Sequence, residues 1–265
     1  ATGTAVGTIF VNPGGPGESG IELVDSAPYI FSEEVLATYD IVGFDPRGVG
    51  SSTQVRCLAG DEQDPTGYVY DLDDPADVKQ MRTDYRLLAR GCLELSGDLL
   101  DHVDTAHVAR DLDVLRALVG DDTLNYVGYS YGTLLGAVYA DAHPERVGRM
   151  VLDSGIDPAL GYADLQSQQL DGFDEVFAAF VQQCQEVEGC PLPADPDAAA
   201  NELVEVMTEL DAEPLPSSSP DGELAGWELN SAIQGAMYSS GTWPDLIEGL
   251  EEVMAGQDGT IVDEI

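Results

Sequence analysis

The chain has 265 residues, 43% of them hydrophobic, which is enough for a globular protein with a core of its own. No stretch approaches the ~20 consecutive apolar residues that a membrane-spanning helix needs. Fifty Asp and Glu against ten Lys and Arg give a formal net charge of −40, and because such a polyanion repels phosphates and anionic lipids, we expect neither nucleic acid nor membrane as a partner.

Four short apolar segments in the first part of the chain are typical of buried strands. We predict strands over Val6–Val11, Tyr39–Phe44, Leu124–Tyr129 and Val147–Leu152. Residues Asp101–Val119 carry apolar side chains at helical spacing, with Asp104 or Thr105 as the N-cap and Gly120 after the end. Strands that alternate with helices predict an α/β protein with a parallel sheet.

None of the four cysteines has the C-x-x-C spacing of a zinc or redox site. We predict that Cys57 pairs with Cys92 across a loop rich in Asp, Pro and Gly, and that Cys184 pairs locally with Cys190. Two disulfides indicate an oxidising compartment, so we expect a secreted or cell-surface protein; the alternative is four buried thiols in a cytoplasmic one.

The pentapeptide Gly128-Tyr129-Ser130-Tyr131-Gly132 matches G-x-S-x-G. A predicted strand precedes it and a helical pattern, Thr133–Ala140, follows it. A sharp strand-to-helix turn exposes the central serine, and any side chain at the flanking glycines would push the helix off the strand. We therefore predict that Ser130 is a nucleophile, with a plain structural turn as the alternative.

Three further loops follow the other predicted strands, at the sheet edge where open α/β sheets bind ligands. The glycine-rich loop Asn12–Gly17 can supply a backbone N–H from its Gly14–Gly15 segment to an oxyanion, with the N–H of Tyr131 as the second donor; the alternative is a tight turn. In the loop Asp45–Ser52 we expect Asp45 and Arg47 to form a structural ion pair rather than to contact substrate. The third loop begins at Asp153, which either orients a base or caps the loop.

Beyond Pro158 the pattern changes to amphipathic helices, predicted over Leu165–Gln183, Ala198–Leu210 and Trp243–Met254. We predict a core over residues 1–157 and a helical cap over residues 158–265. No Lys, Arg or His follows Arg149, whereas 25 carboxylates do. Such a cap would attract the α-ammonium of a peptide, and the alternative is a solvated acidic surface. The candidate carboxylates are Asp174, Glu175, Glu186 and Glu228.

Five segments in this order resemble the secreted tripeptidyl aminopeptidases of bacteria, relatives of proline iminopeptidases within the α/β-hydrolase fold. They are Asn12–Gly17, Asp45–Ser52, Ala109–Asp113, Gly128–Gly132 and Glu145–Asp153. The resemblance implies a partial α/β-hydrolase, with the central parallel strands and a helical cap insertion. It also implies a serine exopeptidase that cleaves peptides with a free N-terminus and uses neither cofactor nor metal. Ser130 would be the nucleophile, and the N–H groups of Gly15 and Tyr131 the oxyanion hole.

A serine hydroxyl needs a histidine base and an acid that orients it, and in this fold both follow the serine. Only His143 follows Ser130, and His102 and His107 precede it; we expect none of the three to be the base. We therefore expect the middle part of a hydrolase, without its first strands and without the C-terminal acid–base segment, which a complementary segment would have to supply. The chain alone would then be inactive.

Two other functions fit the same residues. The serine motif does not distinguish esters from amides, so a carboxylesterase of the same fold is one alternative. The missing base favours a second alternative, a catalytically incomplete chain that only binds peptides.

Overall fold

The computed structural model of the chain describes residues 3–59, 70, 72, 74–218 and 222–263. The chain forms two compact units, which we call unit 1 (Ala1–Leu160) and unit 2 (Gly161–Ile265). Across these described residues, no helix is both long and apolar enough to cross a bilayer.

Unit 1 contains a four-stranded parallel sheet, as the alternation of strands and helices predicted. Its strands are β1 (Thr8–Asn12), β2 (Asp40–Gly43), β3 (Leu124–Tyr129) and β4 (Val147–Asp153), in the order β2-β1-β3-β4. Asn12 lies opposite Gly128, and Tyr129 lies opposite Asp153. The carboxyl ends of β1, β3 and β4 are therefore level at one edge of the sheet.

Unit 1 also contains six α-helices within the described residues. They are α1 (Gly20–Leu23), α2 (Ala27–Ile30), α3 (Glu33–Thr38), α4 (Pro75–Ser96), α5 (Thr105–Val119) and α6 (Tyr131–Ala142). Helix α5 begins and ends as the sequence predicted, with the Asp104 side chain accepting from the N–H of His107 and Gly120 in the left-handed conformation. The core between α5, α6 and the sheet includes Phe10, Leu112, Leu124, Tyr126, Leu135 and Tyr139.

The predicted loop between Cys57 and Cys92 is wrong in its second half. Helix α4 runs through that half and carries Cys92, which forms a disulfide with Cys57. Its apolar residues do recur at helical spacing, at Val78, Met81, Tyr85, Leu88, Cys92 and Leu95, although none of them is fully buried. Residues 60–69, 71 and 73 of the same segment lie outside the described residues.

Unit 2 is helical, with one short antiparallel hairpin. Its helices are α7 (Tyr162–Cys184), α8 (Pro196–Ala212), α9 (Gly226–Ala236), α10 (Trp243–Met254) and α11 (Thr260–Asp263), and its strands are β5 (Leu215–Pro216) and β6 (Glu223–Leu224). One apolar cluster joins them, in which Phe180 stacks edge-on against Trp243 at 5.7 Å between ring centroids. Cys184 and Cys190 form the predicted local disulfide.

Candidate active site

Ser130 lies on the sharp turn between β3 and α6, where its backbone has φ 51° and ψ −120°. Such a conformation is rare for a residue other than glycine, and holding it costs about 1–3 kcal/mol. The side chain of Ser130 is exposed. The turn therefore presents a hydroxyl above the carboxyl edge of the sheet, at the position that the pentapeptide predicted.

The two glycines of the pentapeptide let three backbones meet behind this turn. A Cβ at Gly128 would lie 2.4 Å from the carbonyl oxygen of Gly132, and a Cβ at Gly132 would lie 2.7 Å from the carbonyl oxygen of Asn12. Both distances are shorter than any real Cβ contact. A side chain at either position would have to displace helix α6 from β1 or β3.

Hydrogen bonds hold the turn on both sides of Ser130. Its N–H donates to the carbonyl oxygen of Asp153 at 3.0 Å, and its carbonyl oxygen accepts from the Thr133 hydroxyl at 2.6 Å. The buried Tyr126 hydroxyl donates to the carbonyl oxygen of Gly132 at 2.8 Å. Asp153 thus acts at this site through its backbone, as the last residue of β4.

The glycine-rich loop after β1 packs directly against the turn. Gly14 and Gly15 have φ of 113° and 97°, and a Cβ on Gly14 would lie 3.0 Å from the Ser130 Cβ and 3.2 Å from the Tyr131 nitrogen. The Gly14 N–H donates to Asn12 Oδ1 at 3.2 Å. By contrast, the N–H groups of Gly15 and Tyr131 donate to no described acceptor, so two backbone donors beside Ser130 are free for a ligand.

The predicted ion pair between Asp45 and Arg47 is wrong, because each side chain has another partner. Asp45 is buried and accepts from the Ser19 hydroxyl at 2.6 Å and the Ser51 N–H at 2.7 Å. Burial alone would raise the pKa of Asp45, but these hydrogen bonds outweigh it and leave the pKa below its usual range. Arg47 instead forms a two-pronged pair with Asp111 of α5, at 2.7 and 2.6 Å. Both contacts hold the loop, which is the structural role that we expected.

The first turn of α5 reaches the residue that follows Ser130. Thr105 Oγ1 lies 2.8 Å from the Tyr131 hydroxyl, a hydrogen bond between residues 26 positions apart that no sequence motif indicated. Burial is the main cause that raises the pKa of Tyr131. Beside it, Asp104 Oδ2 lies 2.5 Å from His107 Nδ1, and this hydrogen bond lowers the pKa of Asp104.

None of the three histidines hydrogen-bonds to Ser130 among the described residues. His107 contacts Asp104, and its ring lies 5.0 Å from that of His102. His143 follows the last residue of α6, its ring 5.2 Å from that of Tyr139 and its buried Nε2 without a described partner. The described residues therefore contain a candidate nucleophile and two unpaired backbone N–H groups, but no histidine hydrogen-bonded to the candidate nucleophile.

The four candidate carboxylates of unit 2 differ in their surroundings. Glu228 Oε2 accepts from the Ala225 N–H at 2.8 Å and so caps the start of α9. Asp174, Glu175 and Glu186 are exposed. Nowhere in the described ranges do three His, Cys, Asp or Glu side chains come together as a metal ion would need.

Comparison with known proteins matches residues 7–248 to the alpha/beta hydrolase fold family. The chain is 35% identical to the serine protease Hip1 of Mycobacterium tuberculosis over 99% of its length and 52% of that protein. It is 37% identical to a tripeptidyl aminopeptidase of Streptomyces coelicolor (97% and 48%) and 38% identical to carboxylesterase B of M. tuberculosis (97% and 50%). The chain thus spans about half the length of the curated relatives it matches.

Proposed function

Since the chain belongs to the alpha/beta hydrolase fold family, we propose that it carries the nucleophile of a serine exopeptidase, which removes short peptides or single residues from free N-termini. One observation carries the proposal: Ser130 stands exposed on a strained turn, beside the unpaired N–H groups of Gly15 and Tyr131. The aminopeptidase and protease relatives support the same reaction class.

The proposed chemistry is acyl transfer in two steps. Ser130 Oγ attacks the scissile carbonyl carbon, while a base takes the hydroxyl proton and later gives it to the leaving amine. The N–H groups of Gly15 and Tyr131 donate to the oxyanion of the tetrahedral intermediate. The shortened peptide leaves, and water then hydrolyses the ester on Ser130. Removing one such donor typically costs ~2.7–4 kcal/mol of transition-state stabilisation.

We propose that the base and its orienting acid come from a complementary segment outside these 265 residues. The support is twofold: the histidines of the chain contact other groups, and the relatives are about twice as long. The 265-residue chain alone, with its mass confirmed, should not hydrolyse an aminoacyl arylamide. Turnover that is lost in Ser130→Ala of that chain would contradict this part of the proposal.

We further propose that unit 2 is the helical cap and that its exposed carboxylates bind the α-ammonium of the substrate. Asp174, Glu175 and Glu186 remain candidates, whereas Glu228 already caps a helix. Electrostatic attraction to a unit without any cation favours a positively charged N-terminus.

The test compares a tripeptidyl arylamide with its N-acetylated form, using the native full-length protein. We expect the free amine to be turned over much faster, and Ser130→Ala to lose about 10³-fold or more in kcat. Equal rates for the two substrates would remove the exopeptidase proposal. Full activity in Ser130→Ala would remove the serine mechanism.

A carboxylesterase is the second candidate, because the turn around Ser130 does not distinguish an ester from an amide and one relative carries that name. An ester and an amide with the same acyl group separate the two functions. An esterase would hydrolyse the ester alone and would show no preference for a free amine. A chain that only binds peptides would hydrolyse neither, although the full-length protein is folded.

A further inference from the structure

We propose that Thr105 is a positioning residue for catalysis: its hydroxyl holds the phenol of Tyr131 and so fixes the N–H that Tyr131 offers to the oxyanion. The inference rests on the proposed function and adds to it a residue from another helix. Its basis is the partly buried hydrogen bond of 2.8 Å between Thr105 Oγ1 and Tyr131 Oη.

The turn needs such support, because a strained backbone persists only where its surroundings over-determine it. The bonds from Ser130, Thr133 and Tyr126 described above hold the backbone of Ser130 and of Gly132. The Tyr131 N–H belongs to the same planar peptide group as the Ser130 carbonyl, so Thr133 holds that group from the backbone side, and the N–H itself has no described acceptor. Among the described contacts, the bond to Thr105 is the one that holds the side chain of Tyr131.

The partner of Tyr131 is itself firmly placed. Thr105 is the first residue of α5, directly after the N-cap Asp104. One face of α5 is buried in the core of unit 1 through Val108, Ala109 and Leu112. The pair between Arg47 and Asp111 also ties α5 to the loop after β2. Because α5 cannot shift easily, the hydroxyl of Thr105 is a fixed point for the phenol.

The consequence concerns the transition state more than substrate binding. The oxyanion forms only as Ser130 attacks, so a small displacement of Tyr131, whose side chain has lost its anchor, weakens the interaction that its N–H makes at that moment. Substrate binding does not depend on that N–H to the same degree. We expect loss of the hydrogen bond to lower kcat about 3- to 10-fold, with KM within about twofold.

The experiment uses the native full-length protein with Thr105→Val, Tyr131→Phe and the double variant. If the two hydroxyls act through one bond, the double variant should lose no more than either single one. Thr105→Ser keeps the hydroxyl and should restore kcat. Thr83→Val is the matched control, because the Thr83 hydroxyl donates only to the Lys79 carbonyl oxygen within α4, and its kcat should not change.

The affinity of a peptide boronic acid distinguishes a positioning role of Thr105 from a purely structural one. Its adduct with Ser130 places a negative oxygen in the oxyanion hole, so its affinity should fall by the same factor as kcat. The affinity of the product peptide should stay unchanged in the same variants. Melting temperatures show whether each variant is folded, and Tyr131→Phe carries the test if Thr105→Val is not.

Unchanged kcat and boronate affinity in the folded single variants would overturn the inference, and so would losses that multiply in the double variant. The proposed function fails separately. If Ser130→Ala abolishes turnover while Thr105→Val and Tyr131→Phe match wild type, only the positioning role is wrong. If Ser130→Ala remains active, both proposals are wrong.

Discussion

Unit 1 and unit 2 are stabilised by different interactions. All ten Lys and Arg lie at or before Arg149 and therefore in unit 1, whereas unit 2 has no cation at all. In unit 1, Asp113 accepts from Arg116 at 2.9 Å and from Arg146, and the Tyr139 hydroxyl donates to it at 3.2 Å. In unit 2, Phe180, Leu246 and Leu250 are fully buried in one apolar cluster.

The difference shows what each unit depends on. Unit 1 places a strained turn on a sheet and fixes the surrounding loops with directional polar contacts. Unit 2 can form no ion pair of its own, so apolar burial and one disulfide must outweigh the mutual repulsion of its carboxylates. Changes in packing should therefore affect unit 2 most, and changes in charge pairing should affect unit 1 most.

The largest effect is expected from a cavity in unit 2. Phe180→Ala removes a fully buried ring that stacks on Trp243, and such truncations typically cost about 3–5 kcal/mol. Hydrogen exchange read by mass spectrometry should show lost protection in α7 and α10. Tyr162→Ala, at a 79% exposed position of the same helix, is the control and should change nothing. Equal losses in the two variants would contradict a packed core around Phe180.

The next effect is expected from the charge network of unit 1. Asp113→Asn leaves the guanidinium of Arg116, whose side chain is 9% exposed, without its carboxylate, and breaking a buried pair in this way costs about 3 kcal/mol. Protection should fall in α5 and α6 and stay unchanged in unit 2. Glu94→Gln breaks the exposed pair with Arg90 and should leave protection unchanged. A loss of protection throughout both units would refute the contrast between them.

Acid should weaken unit 1 through the same group. Burial would raise the pKa of Asp113, but the hydrogen bond and charge of Arg116 outweigh it, so the pKa is below its usual range. The stabilisation is therefore complete above about pH 4, the unfolded value, and is lost as the pH falls through the lower folded value. Between pH 6 and pH 3, the Asp113→Asn variant should lose less protection from hydrogen exchange in α5 and α6 than the wild type does. Identical losses would show that this carboxylate does not contribute.

Salt should give the smallest effect, and in unit 2. Raising the salt from about 0.1 to 1 M shortens the Debye length from about 10 Å to 3 Å and so screens repulsion between carboxylates. We expect the free energy of unfolding of unit 2 to rise by about 0.2–1 kcal/mol, which is the contribution of one surface ion pair. Sodium chloride is the salt to use. A gain confined to unit 1 would contradict the charge argument.

The elements that the sequence predicted have apolar residues that repeat regularly. The bounds of β3 and α10 agree with the structure, and the caps of α5 were read from Asp104 and Gly120. Helices α4 and α9 were missed for two reasons. Helix α4 carries apolar residues at helical spacing from Val78 to Leu95, which the interpretation as a loop overlooked. Helix α9 contains two glycines and depends on packing and on the cap by Glu228.

The candidate site was predictable where it depends on the backbone and not where it depends on side chains from distant segments. Glycines at 128 and 132 already implied a close strand–helix contact. The partners of Asp45, Arg47 and Tyr131 lie 6 to 64 positions away, so no local pattern could assign them. For that reason the prediction paired Asp45 with Arg47, which are close in sequence but have other partners.

The central claim is that Ser130 is the nucleophile of a full-length hydrolase, and labelling with a fluorophosphonate probe tests it most directly. Ser154 is a control within the same protein, because it is the other described non-glycine residue with positive φ. After labelling of the native full-length protein and peptide mapping, the account predicts that the Ser130 peptide carries the phosphonate and the Ser154 peptide does not. A full-length, folded protein whose Ser130 stays unlabelled, or which loses no label in Ser130→Ala, would contradict it.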